Sequence, residues 1–579
     1  MSSELIKPAE PVKSKTKYDP ERHSEVEKIK VDSNYLRGTI ESSLENPMTG
    51  AVAENDLMLI KFHGTYQQDD RDLRVERRKQ KLEPLYSFMI RARVPGGLVS
   101  AEQYQRLAEL AIAYSDGGLR LTTRQAFQWH GVFKRNLKNT IKGINDSLLD
   151  TLAACGDVNR NVMSNPLPET SALHAEVFQW AKKISEHLLP QTAAYHEIWL
   201  DGEKIESTLE PIYGSTYLPR KFKIAVAIGP YNDVDVFAND LGFIAISREN
   251  KLVGFNVLIG GGMGSSHGDH TTYPRVADEI GFCTPQQVLA VAENVVKVQR
   301  DFGDREVRKH ARLKYTIDRL GVEGFKQKLF AYQGFELAQA KPFAFEHNGD
   351  RYGWFEDERG EWHLTLYIHS GRVVDTSEKK LFSGLLAISK IHDGEFRITP
   401  NQNLIISRIS AEVKPQIEQL IERFNLSYGQ SETPVRLNSL ACVAFPTCSL
   451  AMAEAERYLP QFISRFEQLL DKYALSEQPI NIRMTGCPNG CARPFLAEIG
   501  LVGKGPGKYN LYLGGSHSGN RLNCLYRENV SEQQILDAVE PLLEAFSQKR
   551  VKQERFGDFA VRANYIRAVN NGLDFHSKE

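Results

Sequence analysis

Cysteine is scarce in this chain, with seven residues among 579. That is too few, and too unevenly spread, for a disulfide scaffold, so a cluster of thiols points to metal binding or catalysis in a reducing compartment. Neither sign of charge dominates: 72 Lys and Arg stand against 73 Asp and Glu, a formal net charge of −1. This excludes a basic nucleic-acid coat or an acidic tail as the main feature. Long hydrophobic runs are missing as well. The longest, Phe222–Gly229 and Leu252–Gly264, have strand length and are broken by glycine, far short of the roughly 18 apolar residues of a membrane span. The opening MSSELIKPAEPVKSKTK has no apolar core of the signal-peptide kind. A soluble, cytoplasmic protein is expected, with neither membrane nor nucleic acid as partner. A nucleotide fingerprint is also lacking. LIGGGMGSSHG is glycine-rich but has no full G-x-G-x-x-G with a following helix and an acidic residue ~20 positions on. Its glycines are expected to form a tight turn or to let backbone approach a bound group.

What is present reads as α/β. At ~150 residues per domain the length predicts about four domain-sized units. Residues 1–33 carry seven acidic and seven basic side chains, few large apolar ones, and Pro8, Pro11 and Pro20, which predicts a flexible arm. Residues 69–83 hold eleven charges in fifteen positions and read as a solvated face or an extended crossing segment. From Tyr86 the pattern changes: SFMIRARV alternates like a strand, Pro95-Gly96-Gly97 marks a turn, AEQYQRLAELAIAYS has helical spacing, and GGLRLTTRQAFQWHGV reads as turn, strand, short loop and strand.

A related arrangement recurs 277 residues later, where Asp116-Gly117, Arg120, Thr122 and Gln125 align without gaps onto Asp393-Gly394, Arg397, Thr399 and Gln402. An internal duplication of α/β halves about a pseudo-twofold axis is the expected architecture. A ligand on that axis is expected to meet Arg120 from one half and Arg397 from the other, so it should be a large anion. A further α/β stretch follows each half. The expected divisions are 1–80, an arm and extended segment serving a partner; 81–149 and 346–424, the duplicated halves; 150–345, a first larger α/β domain; and 425–579, a second that contains the clustered cysteines.

The strongest chemical signal is Cys442-x5-Cys448 and, after 38 intervening residues, Cys487-x3-Cys491. Two pairs of thiolates can close round one metal centre. A five-residue gap is loose for a zinc knuckle, and the small residues and glycines of ACVAFPTC and TGCPNGCARP leave room for sulfide. The spacing favours an iron–sulfur cluster over zinc, which stays the alternative.

These two segments, with LRLTTRQAFQWHG, DVNRNV, YLPRKFK and FRITPNQNL in order, resemble the siroheme and [4Fe–4S] signature of the sulfite and nitrite reductase family. The similarity runs from about Asn34 to near the end of the chain. It implies an α+β fold of duplicated ferredoxin-like half-domains and two larger α/β domains surrounding siroheme and the cluster. It implies that Cys442, Cys448, Cys487 and Cys491 hold the cluster and that Cys491 is also the axial ligand of siroheme iron. Arg91, Arg160, Lys221 and Lys223 would line the face where sulfite binds. Lysine at both 221 and 223 favours sulfite over nitrite; an exposed basic edge is the plain alternative for that pair. Arg120, Thr122, Arg124, Gln128, His130, Arg397, Gln402 and Asn489 would contact siroheme, although His130 equally suits a hydrogen-bonded core histidine.

The implied activity is the six-electron reduction of sulfite to sulfide in assimilatory sulfur metabolism. The electrons would come from an NADPH-oxidising flavoprotein (alpha) subunit carrying FAD and FMN, in a hetero-oligomer. Ferredoxin-linked sulfite or nitrite reduction is the enzyme alternative, and a zinc-stabilised nucleic-acid-binding protein is the alternative of another class. The arm is expected to serve the flavoprotein, so that a chain starting near Asn34 keeps its cofactors and its activity with a reduced dye.

Overall fold

Among the described residues there are four five-stranded sheets, in two matched pairs. The computed structural model describes residues 18–167, 171–205 and 210–577; residues 1–17 of the expected arm lie outside them. The sheet of the first half runs Thr65–Asp69, Tyr86–Arg91, Phe127–Val132, Leu119–Leu121 and Arg372–Val373, every neighbour antiparallel. The second runs Gly353–Glu356, Trp362–Leu366, Leu404–Ile409, Glu395–Ile398 and Leu98–Ser100, again antiparallel.

Each half therefore lends a short edge strand to the other. Glycine makes this crossing possible. Gly97 and Gly371 have φ of +80° and +75°; a Cβ at Gly97 would meet the Ile398 carbonyl oxygen at 2.6 Å, and one at Gly371 would collide with the Leu121 carbonyl.

The repeated motif closes the turn of each half. The Thr122 hydroxyl accepts from the backbone N–H of Arg124 and Ala126, both at 3.2 Å, and Thr399 does the same for Asn401 at 3.2 Å and Asn403 at 3.1 Å. Gln125 and Gln402 both sit at positive φ; the Gln125 amide reaches across to the other half, while that of Gln402 stays within its own. Gln125 donates to Ile398 O at 3.0 Å and Gln402 to Ser370 O at 3.0 Å. The helix Ala101–Tyr114 begins at Ser100, which forms a reciprocal capping box with Gln103. Its buried Tyr104 stacks on Phe396 of the other half, ring centroids 4.4 Å apart, so one core runs through both halves.

The larger units repeat as well. One sheet orders Met163–Ser164, Ile224–Ile228, Leu241–Arg248, Lys251–Ile259 and Asp278–Cys283; the other orders Ser439–Ala441, Ile482–Thr485, Ile499–Gly505, Lys508–Leu513 and Cys524–Val530. In each the first three strands are parallel and the last two antiparallel.

Two expectations need correction. Residues 25–32 of the arm are a helix, and its Glu27 and Lys30 are buried at 1% and 0% exposure. Composition pointed to disorder because the partners that make these charges tolerable, Arg305 and Asp157, lie far along the chain. The charged run 69–83 is also more than a solvated face. Arg71 lies over the Phe445 ring at 4.4 Å and donates to Cys448 O at 3.0 Å and Ala451 O at 2.7 Å.

Candidate active site

Antiparallel register sets Arg91 opposite Gln128, Gln128 opposite Arg120, and Arg120 opposite Arg372. Directly opposed residues project from one face of a sheet, so the four form a row across it. His130, two positions from Gln128, shares that face. At one end Arg120 donates to both oxygens of Glu456, at 2.6 and 2.5 Å, and Arg372 lies 3.5 Å from the same carboxylate. At the other end Arg91 donates to Cys155 Sγ at 3.2 Å; its neighbour Arg93 makes the ordinary ion pair, with Asp150.

Gln128 satisfies both its neighbours when its amide oxygen accepts from Arg91 Nε at 2.8 Å and its nitrogen donates to His130 Nε2 at 3.2 Å. His130 Nδ1 then donates to Gln68 Oε1, 3.2 Å away. Burial, and then Arg120, Arg91 and Arg372, hold His130 well below the usual imidazole value, so the ring is neutral.

A second group of cations comes from two loops zipped together. Leu218 N donates to Asp157 O, Phe222 N to Val158 O, and Arg160 N to Phe222 O, each at 3.0 Å. Phe222 is buried at 1% exposure, while Lys221 and Lys223 on either side of it are half-buried, as alternation requires. The strand itself begins one residue later, at Ile224.

Burial lowers Lys221 to about 7, assisted by Arg220, Arg160 and Arg312 and opposed by Cys491. Lys223 is pushed well below the usual lysine value by burial, then by Lys221, Arg124 and Arg312, again opposed by Cys491. Among the described residues no carboxylate pairs with either ammonium. Arg160 donates to Gly156 O at 3.0 Å and to Tyr66 OH at 3.4 Å. Arg124 donates to Asn239 Oδ1 and Ile224 O, each at 2.6 Å, and its buried Nε has no hydrogen-bond partner.

The four clustered cysteines meet because two short strands are parallel. Ser439–Ala441 and Ile482–Thr485 end at the same edge of their sheet, which brings Cys442 beside Gly486-Cys487, and Gly486 N donates to Cys442 Sγ at 3.3 Å. Burial and then the other three thiols push Cys442 well above the usual thiol value. Burial, then Cys491, lifts Cys487 to about 12, opposed by hydrogen bonds from the backbone and side chain of Asn489. Cys491 is exposed. Thr123 Oγ1 donates to Cys491 O at 3.0 Å, which joins the turn of the first half to the cysteine loop. The glycine run lies on the same loop: Ser265 N donates to Pro488 O at 3.0 Å, and a Cβ at Gly490 would sit 2.9 Å from Met263 O.

Among the described residues no group of three or more His, Cys, Asp or Glu converges closely enough to hold a single metal ion. The four thiols are near enough to repel one another as thiolates. A larger cationic iron–sulfur centre fits this donor set, because it reverses the penalty on the ionised sulfurs. The unpartnered Arg124 Nε fits a cofactor rich in carboxylates, and the two unpaired lysines fit a small oxyanion.

The structure thus gathers Arg160, Lys221, Lys223, Arg124 and Cys491, and sets Arg91, Gln128, Arg120 and His130 in one row. Thr122 spends its hydroxyl on closing the turn. Arg397 and Gln402 are not brought into the group. Arg397 pairs with Glu395 and lies over Phe178 at 5.6 Å, and its cross-strand neighbours are Ile405 and Leu98. The second half reaches the cationic face through Arg372 instead, carried there by strand exchange. Arg372, Arg71, Glu456 and Cys155 were missed in the sequence, since only long-range pairing gives them their places.

Comparison with known proteins agrees with this geometry. The family model described as the nitrite and sulphite reductase 4Fe-4S domain matches residues 179–337 and 433–566, and the nitrite/sulfite reductase ferredoxin-like half domain matches 80–147 and 355–424. The chain is 58% identical over 557 residues to the sulfite reductase [NADPH] hemoprotein beta-component of Anoxybacillus flavithermus, covering 96% of this chain and 98% of that one. It is 57% identical to the protein of the same name from Shouchella clausii, covering 96% and 97%. The solved structure of the Mycobacterium tuberculosis NirA protein aligns with a TM-score of 0.75 at 23% identity over 93% of this chain and 95% of that one, a likeness of fold. Two copies of each domain, matched over most of the length, make this chain a member of the nitrite and sulphite reductase family.

Proposed function

We propose that this chain reduces sulfite to sulfide as the siroheme-bearing component of an enzyme whose other component, a flavoprotein with FAD and FMN, draws electrons from NADPH. The observation that carries this reading is the pair of ammonium groups, Lys221 and Lys223, beside exposed Cys491 with no carboxylate partner. Burial and the neighbouring cations make positive charge on these two lysines costly, and an oxyanion removes the cost. The names of the relatives from Anoxybacillus flavithermus and Shouchella clausii support both the substrate and the NADPH-linked partner.

Siroheme and a [4Fe–4S] cluster, when bound, supply the one-electron redox chemistry. Cys442, Cys448, Cys487 and Cys491 would hold the cluster, and Cys491 would also ligate siroheme iron. Arg120, Arg124, Gln128, His130 and Asn489 would contact the macrocycle. Arg91, Arg160, Lys221 and Lys223 orient the anion and offset its charge. Sulfite gives up its oxygens as water, so protons must arrive beside it. Lys221 Nζ, lowered to about 7 by burial, holds and yields a proton in the neutral range.

The absorption spectrum of the purified chain, with iron and acid-labile sulfide analysis, tests the cofactors. Isobacteriochlorin bands in the Soret and red regions are expected, and a colourless zinc protein would overturn the reading. Turnover with NADPH plus flavoprotein, compared with reduced ferredoxin, tests the donor.

A further inference from the structure

The four successive carbonyls that lead into Arg220-Lys221-Phe222-Lys223 are all taken by side-chain cations. Arg305 donates to Thr216 O at 3.4 Å and to Tyr217 O at 2.6 Å. Lys30 Nζ donates to Leu218 O at 2.8 Å, and Arg308 to Pro219 O at 3.1 Å. The same cations reach the companion loop that carries Arg160: Arg308 lies 2.9 Å from Asp157 Oδ2, and Lys30 Nζ 3.9 Å from it. Glu27 completes the group, bonded to Lys30 at 2.6 Å and to Arg305.

Two of these residues, Glu27 and Lys30, stand on the N-terminal helix Glu25–Asp32. The helix is fastened to the same region by Ser24 N, which donates to Arg305 O at 3.0 Å. Burial alone would raise Asp157, but Arg308 and Lys30 hold it down at about 2, so it is a carboxylate whenever the protein is folded near neutral pH.

The segment before Ile224 pairs in no named strand. Its course is set by what takes its carbonyls and by the bonds that zip it to 157–160. A loop held by such contacts on a rigid body fixes the side chains it carries. Lys30 is the one cation of the three that comes from the N-terminal helix, and it touches both loops at their junction.

We propose that the N-terminal helix, through Lys30, is a positioning element for the anion-binding face: it clamps the Thr216–Pro219 carbonyls against Asp157 and so fixes where Arg160, Lys221 and Lys223 stand. This rests on reading those three as the groups that contact sulfite. It gives residues 25–32 a task within the chain, apart from any contact with a flavoprotein.

The test uses the full-length holoenzyme with a chemically reduced viologen dye. Lys30→Met keeps the bulk of the side chain and removes the donor. The lysines of the site keep their charge but lose their fixed places, so the expected result is a sulfite KM raised by about tenfold while kcat changes less than about threefold, with the cofactor absorption unchanged. A purely structural role would lower thermal stability and leave KM where it was, and that result overturns the proposal. Should Lys30→Met fail to fold, Asp157→Asn decides, since it matches the shape and loosens the same clamp; a raised KM supports the proposal and an unchanged KM overturns it. Lys223→Ala is measured alongside. If it too leaves the sulfite KM and turnover unchanged, the reading of the site has failed; if it alone changes them, the clamp has failed.

Discussion

Arg372 stands directly opposite Arg120 across two antiparallel strands that come from different halves of the duplication, and both reach the carboxylate of Glu456. Like charges placed so repel, and one carboxylate between two guanidinium groups leaves net positive charge on that face. Arg372→Ala is therefore expected to change stability by no more than about 1 kcal/mol, as for other partly exposed pairs. It should lower the ratio of siroheme to iron–sulfur cluster in the purified protein. An unchanged ratio by extraction and iron analysis would place Arg372 outside the cofactor's reach.

Lys221→Ala and Lys223→Ala should leave both cofactors bound and cut sulfite turnover by about 10²–10³, the usual cost of losing one oxyanion contact. The loss should be proportionally greater for sulfite than for nitrite, because sulfite brings more charge. Steady-state rates on both substrates check this, and small, equal effects would remove the lysines from the site.

Local pattern made much of this legible. The helical spacing after Ser100, the alternation around Phe222 and the paired cysteines are short-range features, and the repeated Arg-x-Thr-x-x-Gln exposed the duplication. Strand exchange was not legible, because nothing in Leu98–Ser100 or Arg372–Val373 says that each joins the other half's sheet. The repeat therefore points to Arg397, whose cross-strand neighbours are Ile405 and Leu98, while the residue beside Arg120 is Arg372. The glycines near Met263 did carry a visible signal, and they lie against the cysteine loop.

Cys491→Ser should lose siroheme, cluster or both. The residue sits in a loop tied to the first half by Thr123, and in the proposed function its sulfur serves two centres. Iron, sulfide and siroheme analysis is the check; full occupancy with an unchanged spectrum would show that Cys491 is not a ligand.

The burial of Lys30 and Glu27 reverses the expectation for a shortened chain. A chain starting at Asn34 leaves Arg305, 4% exposed, without its carboxylate, and breaking a buried pair typically costs about 3–5 kcal/mol. A chain starting at Tyr18 retains the helix and should melt like the full-length protein. Thermal unfolding of the three holoproteins measures this, and equal melting temperatures for all would mean that the helix contributes nothing to the folded body.

In the proposed function, Arg160, Lys221 and Lys223 near Cys491 serve the complete reduction of sulfite. The most direct measurement is the sulfide formed per reduced viologen consumed by the purified holoenzyme with sulfite as the only substrate. One sulfide is expected for every six one-electron dye equivalents, with no partly reduced sulfur released. Dye left unoxidised by a protein of intact cofactor content, or dye consumed without sulfide, would contradict it.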